Sequence, residues 1–236
     1  AGTYDLLEKE PEELGGLIPE LAKQGFSGIN ITIPYKTSII RYLDSISPEA
    51  KKIGAVNTVK FGEKVLGFNT DYFGFGRLVT SFMQNKPIKT VAVLGTGGSS
   101  RAVVAWFEDC GDTSITLVSR KPWQHEDRDD RHKVVGYDSF SAAGFDLVVN
   151  TTPVGMYPNS GESPIEACQL AGAGGLIDLV YNPAETKLMK QAAALGIASV
   201  NGLAMLVAQA VEAQAIWNEI EYEPADTHAI LEKLSK

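Results

Sequence analysis

Residues 91–106 read VAVLGTGGSSRAVVAW, an apolar run that passes through Gly95, Gly97 and Gly98 straight into a helix-forming stretch. Consecutive apolar residues suit a strand covered on both faces, which needs no alternation with polar ones. The glycines permit a tight turn and close backbone approach, and the free N–H groups of the helix start can receive a pyrophosphate. The spacing is G-x-G-G rather than G-x-G-x-x-G, because Ser100 stands where the third glycine would fall. A glycine cluster alone is often only a turn. Here it joins a strand to a helix within a repeating series, and that context predicts dinucleotide binding.

The series runs from about residue 87 to 202. Apolar runs recur at TVAVLG, SITLVSR, KVVG, FDLVVNT, GLIDLVY and IASVNG, with helical segments SSRAVVAWFEDCG and AETKLMKQAAALG between some of them. Alternating strands and helices predict a parallel, doubly wound sheet. The crossover KPWQHEDRDDRHK carries no apolar stripe and reads as a loop or a poorly formed helix. The second strand ends TLVSRK, with no acid at its tip to hold a ribose 2′-hydroxyl. Arg120 and Lys121 just beyond could be two solvated surface cations. Their position instead favours pairing with a 2′-phosphate, and so NADP over NAD.

Residues 1–83 read as a separate, smaller α/β domain. PEELGGLIPELAKQG places Leu14, Leu17, Ile18 and Leu21 on one helical face, and GINITIP follows as a strand. A helix-like run, YKTSIIRYLDSI, is expected to begin around Lys36. Strand-like KIGAVNTVKF and KVLGFNTD follow, then a helix at DYFGFGRLVTSFMQ and a linker at NKPIK. The expected division is a substrate domain at 1–83, a Rossmann-type nucleotide domain at 84–203, and a C-terminal helical segment, 204–236, returning to the first. A cleft is expected between the two domains.

The chain's 236 residues can bury a sizeable core. A net charge of -8 argues against nucleic acid as a general partner. Cys110 and Cys168 form no paired motif, and His125, His132 and His228 are scattered, so neither a disulfide framework nor a metal site is expected. Without a signal peptide or a bilayer-length apolar run, a cytoplasmic location is expected. The opening AGTYDLLEKE has no Met and reads like a sequence entered partway through.

Lys36 admits two readings. It could be a solvated lysine on a first helical turn. It could also be a proton carrier, its charge disfavoured by the helix dipole and partial burial, with Asp71 in GFNTDYFGFG as a candidate partner acid. Asn57 and Asn69 could be turn residues, and Met205, Leu206, Trp106 and Phe107 ordinary packing.

Taken together, GINITIPYK, GAVNT, GFNTDYFGF, GTGGSSRA, NTTPVGM, DLVYNP and NGLAMLVAQA resemble, in order and over nearly the whole chain, the motifs of the shikimate dehydrogenase family. The resemblance implies NADPH-dependent reduction of 3-dehydroshikimate to shikimate, in the pathway to aromatic amino acids. It implies Lys36 and Asp71 as the catalytic pair, and Thr32, Asn57, Tyr181 and Gln209 around the cyclic acid. Gly95, Thr96, Gly97, Gly98 and Ser99 would hold the diphosphate, and Ser119, Arg120 and Lys121 the adenosine phosphate. Thr152, Leu179, Gly202 and Met205 would lie along the nicotinamide half. The family also opens with a strand and a Ser-x-Ser loop that grips the substrate carboxylate, to which nothing here corresponds. The small domain's sheet is therefore expected to show an unpaired edge and an apolar gap. Alternatives are a quinate/shikimate dehydrogenase using NAD, an NADP-binding module without turnover, or a methylenetetrahydrofolate dehydrogenase. The expected assembly is a monomer or homodimer, with neither nucleic acid nor membrane as partner.

Overall fold

A computed structural model describes residues 2–32, 34–84, 86–124 and 132–221, with 227, 230, 231 and 233 beyond. His125, His228, the charged stretch 125–131 and most of the segment after residue 221 lie outside the described residues. The chain parts into two compact units. Unit 1 is Ala1–Thr70 with Ala213–Glu221, and unit 2 is Asp71–Glu212 with the described residues beyond 221.

In unit 1, a 3-10 turn at Pro11–Glu13 leads into α1 (Leu14–Lys23), which buries Leu14, Leu17, Ile18 and Leu21. Their three- and four-residue spacing makes that single buried stripe. Then come β1 (Gly28–Asn30), β2 (Ser45–Ile46), α2 (Pro48–Ile53), β3 (Thr58–Lys60) and β4 (Leu66–Phe68). The sheet order is β1-β3-β4-β2, antiparallel except for the β2/β4 pair. Fully buried Ile39, Val56 and Val59 fill the space beneath α1.

The expected helix after Lys36 is not an α-helix. Residues 34–37 form a turn, and a 3-10 helix spans Ser38–Tyr42. Pro34 withholds a backbone donor, and the β-branched Thr37, Ile39 and Ile40 disfavour a longer helix. The chain is extended again at Leu43, before β2.

Among the described residues, β1 stands at the edge of its sheet and pairs with β3. Beside it lies a cavity of about 850 Å³, bounded by the N-terminal coil, Leu14, Leu17, β1, Thr32 and Trp217. Trp217 donates its indole N–H to the Val59 carbonyl at 2.9 Å. A Cβ on Gly28 would stand 2.1 Å from that indole nitrogen, so only glycine fits beneath the ring.

Unit 2 takes nearly all of α3 (Thr70–Met83). It continues through β5 (Thr90–Leu94), α4 (Gly98–Cys110), β6 (Ser114–Ser119), β7 (Lys133–Gly136), β8 (Leu147–Asn150) and α5 (Ala167–Leu170). It ends with β9 (Leu176–Asp178), α6 (Lys187–Ala194), β10 (Ser199–Asn201) and the first part of α7 (Leu203–Asn218). The six strands are all parallel in the order β10-β9-β8-β5-β6-β7. Val91 and Val93 face one core, with Phe75, Val79 and Phe107. Ala92 and Leu94 face the other, with Leu170 and Leu188. The apolar run of β5 thus serves two buried faces. Strand order reverses between β5 and β8, and in such sheets ligands bind beyond the carboxyl ends of the strands at that point.

Candidate functional site

The loop from Gly95 to Ser99 leaves β5 at this switch point. Gly95 has φ +97°, and a Cβ there would stand 2.8 Å from Thr152 Cγ2. Glycine is required both for the turn and for the approach of the loop after β8. No side chain caps α4 at Gly97, and open space surrounds the places where Cβ atoms on Gly97 and Gly98 would stand. The first N–H groups of α4 are therefore uncovered by side-chain caps, with room above them for an anion. These residues fit a dinucleotide diphosphate.

The other nucleotide candidates lie along the same strand ends. Ser119 is buried at the end of β6, and its hydroxyl accepts the Lys121 N–H at 3.2 Å, while Arg120 and Lys121 are exposed. Across the switch point, Thr151 hydrogen-bonds to the Leu94 carbonyl through both its N–H and its hydroxyl. Thr152 donates its N–H and hydroxyl to Asn150 Oδ1 at 3.0 and 2.7 Å. The Leu179 N–H donates to the Asn150 carbonyl at 3.0 Å. Gly202 lies against the Leu179 backbone, and Met205 is 8% exposed at the rim of the core that contains Phe75. The structure thus gathers Gly95, Thr152, Leu179, Gly202 and Met205 around the ends of β5, β8 and β9. Tyr181 follows β9 and is exposed.

Asp71 sits in the first turn of α3, the end whose dipole favours a carboxylate. One turn on, Gly74 lets α3 approach α7 closely, for a Cβ there would meet the Met205 carbonyl oxygen at 2.8 Å and Gln209 Cβ at 3.1 Å. Asp71 is therefore one helical turn from the level of Gln209.

In unit 1, the Lys36 carbonyl accepts the Val56 N–H at 2.7 Å, and the Thr32 carbonyl accepts the Tyr35 N–H at 2.9 Å. This brings Thr32, Lys36 and Asn57 into one neighbourhood. Lys36 lies in a turn rather than a helical turn, so the dipole argument for it does not hold. Asn57 is 3% exposed. Its Oδ1 accepts the Thr70 N–H at 2.7 Å and the hydroxyls of Thr58 and Thr70 at 3.1 and 3.2 Å. With that oxygen engaged, Asn57 has its Nδ2 donors to offer a ligand. Beside it, Asn69 is 1% exposed and donates to the Ala55 carbonyl.

Relatives of known kind share this fold. Residues 1–59 match the shikimate dehydrogenase substrate binding domain. A shikimate dehydrogenase (NADP(+)) from Clostridium beijerinckii is 40% identical over 94% of this chain and 83% of its own length. The chain belongs to the shikimate dehydrogenase family. Among solved structures, a chorismate mutase/shikimate 5-dehydrogenase fusion protein from Clostridium acetobutylicum superposes with a TM-score of 0.93 at 40% identity. That match covers 97% of this chain and 85% of the other. A shikimate 5-dehydrogenase from Thermus thermophilus, in complex with NADP(H) and shikimate, gives a TM-score of 0.82 at 33% identity, covering 93% and 83%. The reading of two α/β domains, one built on a parallel nucleotide sheet and the other on a smaller mixed sheet, is that of this family.

The sequence alone does not single out the polar groups behind the candidate cofactor site, namely Asn150, Asp178 and Thr186. A signal existed. Asp178 is an acid set within the apolar run GLIDLVY, and a buried acid in a strand must find donors. Among the described residues, no helix is long and apolar enough to cross a membrane.

Proposed function

We propose that the chain catalyses the NADP-dependent, reversible reduction of 3-dehydroshikimate to shikimate. The observation that carries this reading is the seating of Lys36, whose backbone is tied to Val56 next to buried Asn57. A lysine beside an amide donor suits a substrate oxygen that gains or loses a proton.

Gly95–Ser99 and the start of α4 would hold the diphosphate of NADP, and Ser119, Arg120 and Lys121 its 2′-phosphate. Thr152, Leu179, Gly202 and Met205 would border the nicotinamide. When bound, NADPH supplies the hydride that reaches the carbonyl carbon. The chain's own work is to hold the cyclic acid and deliver one proton to the carbonyl oxygen as it becomes a hydroxyl. We assign that proton to Lys36 and Asp71. Thr32, Asn57, Tyr181 and Gln209 would hold the ring's polar groups, and a site made of such donors and acceptors rejects analogues lacking a hydroxyl. The reading includes a cytoplasmic enzyme working as a monomer or homodimer. Cys110 and Cys168, exposed and in no disulfide, suit a reducing compartment.

Lys36→Ala is the test. Turnover of shikimate with NADP should fall by about 10²–10⁴-fold while NADP affinity stays at the wild-type value. Undiminished turnover would remove Lys36 from the mechanism. No wild-type turnover beside intact NADP binding would leave a binding module.

A further inference from the structure

Asp178 closes β9 with no exposed surface, and its carboxylate accepts hydrogen bonds from three donors among the described residues. Oδ1 accepts from Asn150 Nδ2 at 2.9 Å and from the Val180 N–H at 3.1 Å, and Oδ2 accepts from the Thr186 hydroxyl at 2.6 Å. Thr186 is the N-cap of α6 and also accepts the Met189 N–H. Asn150 is fully buried as well, and its amide has two ends. The nitrogen donates to Asp178. That fixes the orientation of the oxygen, which takes both donors of Thr152. Thr152 in turn meets the place where a Gly95 side chain would stand. The Val180 N–H bonded to Asp178 belongs to the stretch whose carbonyl receives the Gly202 N–H at 3.3 Å.

One carboxylate therefore sets the amide flip of Asn150, the rotamer of Thr152 and the path of residues 179–181, without lining the site itself. We infer that Asp178 is a positioning residue for the nicotinamide half of the cofactor site, acting through Asn150 and Thr152. The inference rests on the NADP reading above. The adenosine-phosphate residues Ser119–Lys121 follow β6, three strands away in the sheet order, and are outside its reach.

That separation supplies the test. Titration calorimetry on the full chain would compare NADP⁺ with 2′,5′-ADP, which carries the adenosine and 2′-phosphate end alone. For Asp178→Ala, NADP⁺ affinity should fall by about tenfold or more, the size expected when hydrogen bonds to a charged group are lost. Affinity for 2′,5′-ADP should not change. Asp178→Asn keeps an acceptor toward Asn150 and Val180 and should restore NADP⁺ binding to within about threefold. Equal losses for both ligands would mean that Asp178 only supports the fold, and unchanged NADP⁺ affinity would mean that it positions nothing. If Asp178→Ala does not fold, Thr186→Val serves, with a loss of about threefold confined to NADP⁺. Parity of the two ligands in that variant overturns the inference. A wild-type chain that binds neither ligand would instead sink the NADP reading.

Discussion

A Cβ on Gly202 would stand 2.1 Å from the Leu179 carbonyl oxygen and 2.7 Å from its carbonyl carbon. Both are backbone atoms, and the Leu179 N–H is already bonded to Asn150, so neither side can give way cheaply. Gly202→Ala should cost about 1–3 kcal/mol or more by overpacking, read as a lower urea midpoint, and should weaken NADP binding at the same time. An unchanged midpoint would show that the two loops part freely. At this scale the sequence was uneven as a guide. The resemblance named Gly202, but the reason for a glycine there lies in a contact from 23 positions earlier in the chain. The chemistry of Lys36 could be read from its residue type. Its setting could not, because the bond that seats it comes from Val56, across β2 and α2.

At the scale of strands, the runs of the parallel sheet are legible because the central ones, such as β5 and β8, are apolar on both faces and all are bounded by polar or glycine breaks. The run 35–46 is ambiguous in sequence, because an apolar spacing compatible with a helix also fits a 3-10 turn followed by a short strand. Two acids mark opposite ends of the sheet and should titrate with opposite signs. Asp146 precedes β8. Burial would raise its carboxyl, but the N–H groups of Lys89 and Thr90 and the Thr90 hydroxyl prevail and hold it below the ordinary 3.8. Its contribution to stability is present above 3.8 and is lost as pH falls through the folded value. Asp178 ends β9, and burial raises it above 3.8 against hydrogen bonds from Thr186, Val180 and Asn150. Its contribution is complete below 3.8 and is lost as pH rises through the folded value. Urea unfolding at a series of pH values separates them. The deficit of Asp146→Asn against wild type should shrink in acid, whereas Asp178→Asn should gain on wild type as pH rises. The same slope for both variants would contradict the assignment.

At the scale of the whole chain, the two units have separate cores. The core under α1 draws on residues of unit 1 alone, and the two on either face of the parallel sheet on residues of unit 2. The proposed cofactor residues, from Gly95 to Met205, all fall in unit 2, while Thr32, Lys36 and Asn57 fall in unit 1. A ligand that binds only the folded state stabilises whatever unfolds with its site. Trp106 packs edge-on to Phe75 and Phe107 in unit 2, and Trp217 is bonded to Val59 in unit 1, so each unit carries its own fluorescent reporter. In a chain keeping Trp106 alone, NADP⁺ at about a hundred times its Kd should stabilise the reported transition by roughly 2.7 kcal/mol. In a chain keeping Trp217 alone, the shift should match if the units unfold as one, and be absent if unit 1 unfolds independently. Either result for Trp217 measures how far the two cores act together. A Trp106 transition that NADP⁺ does not move would place the cofactor somewhere other than the β5/β8 switch point.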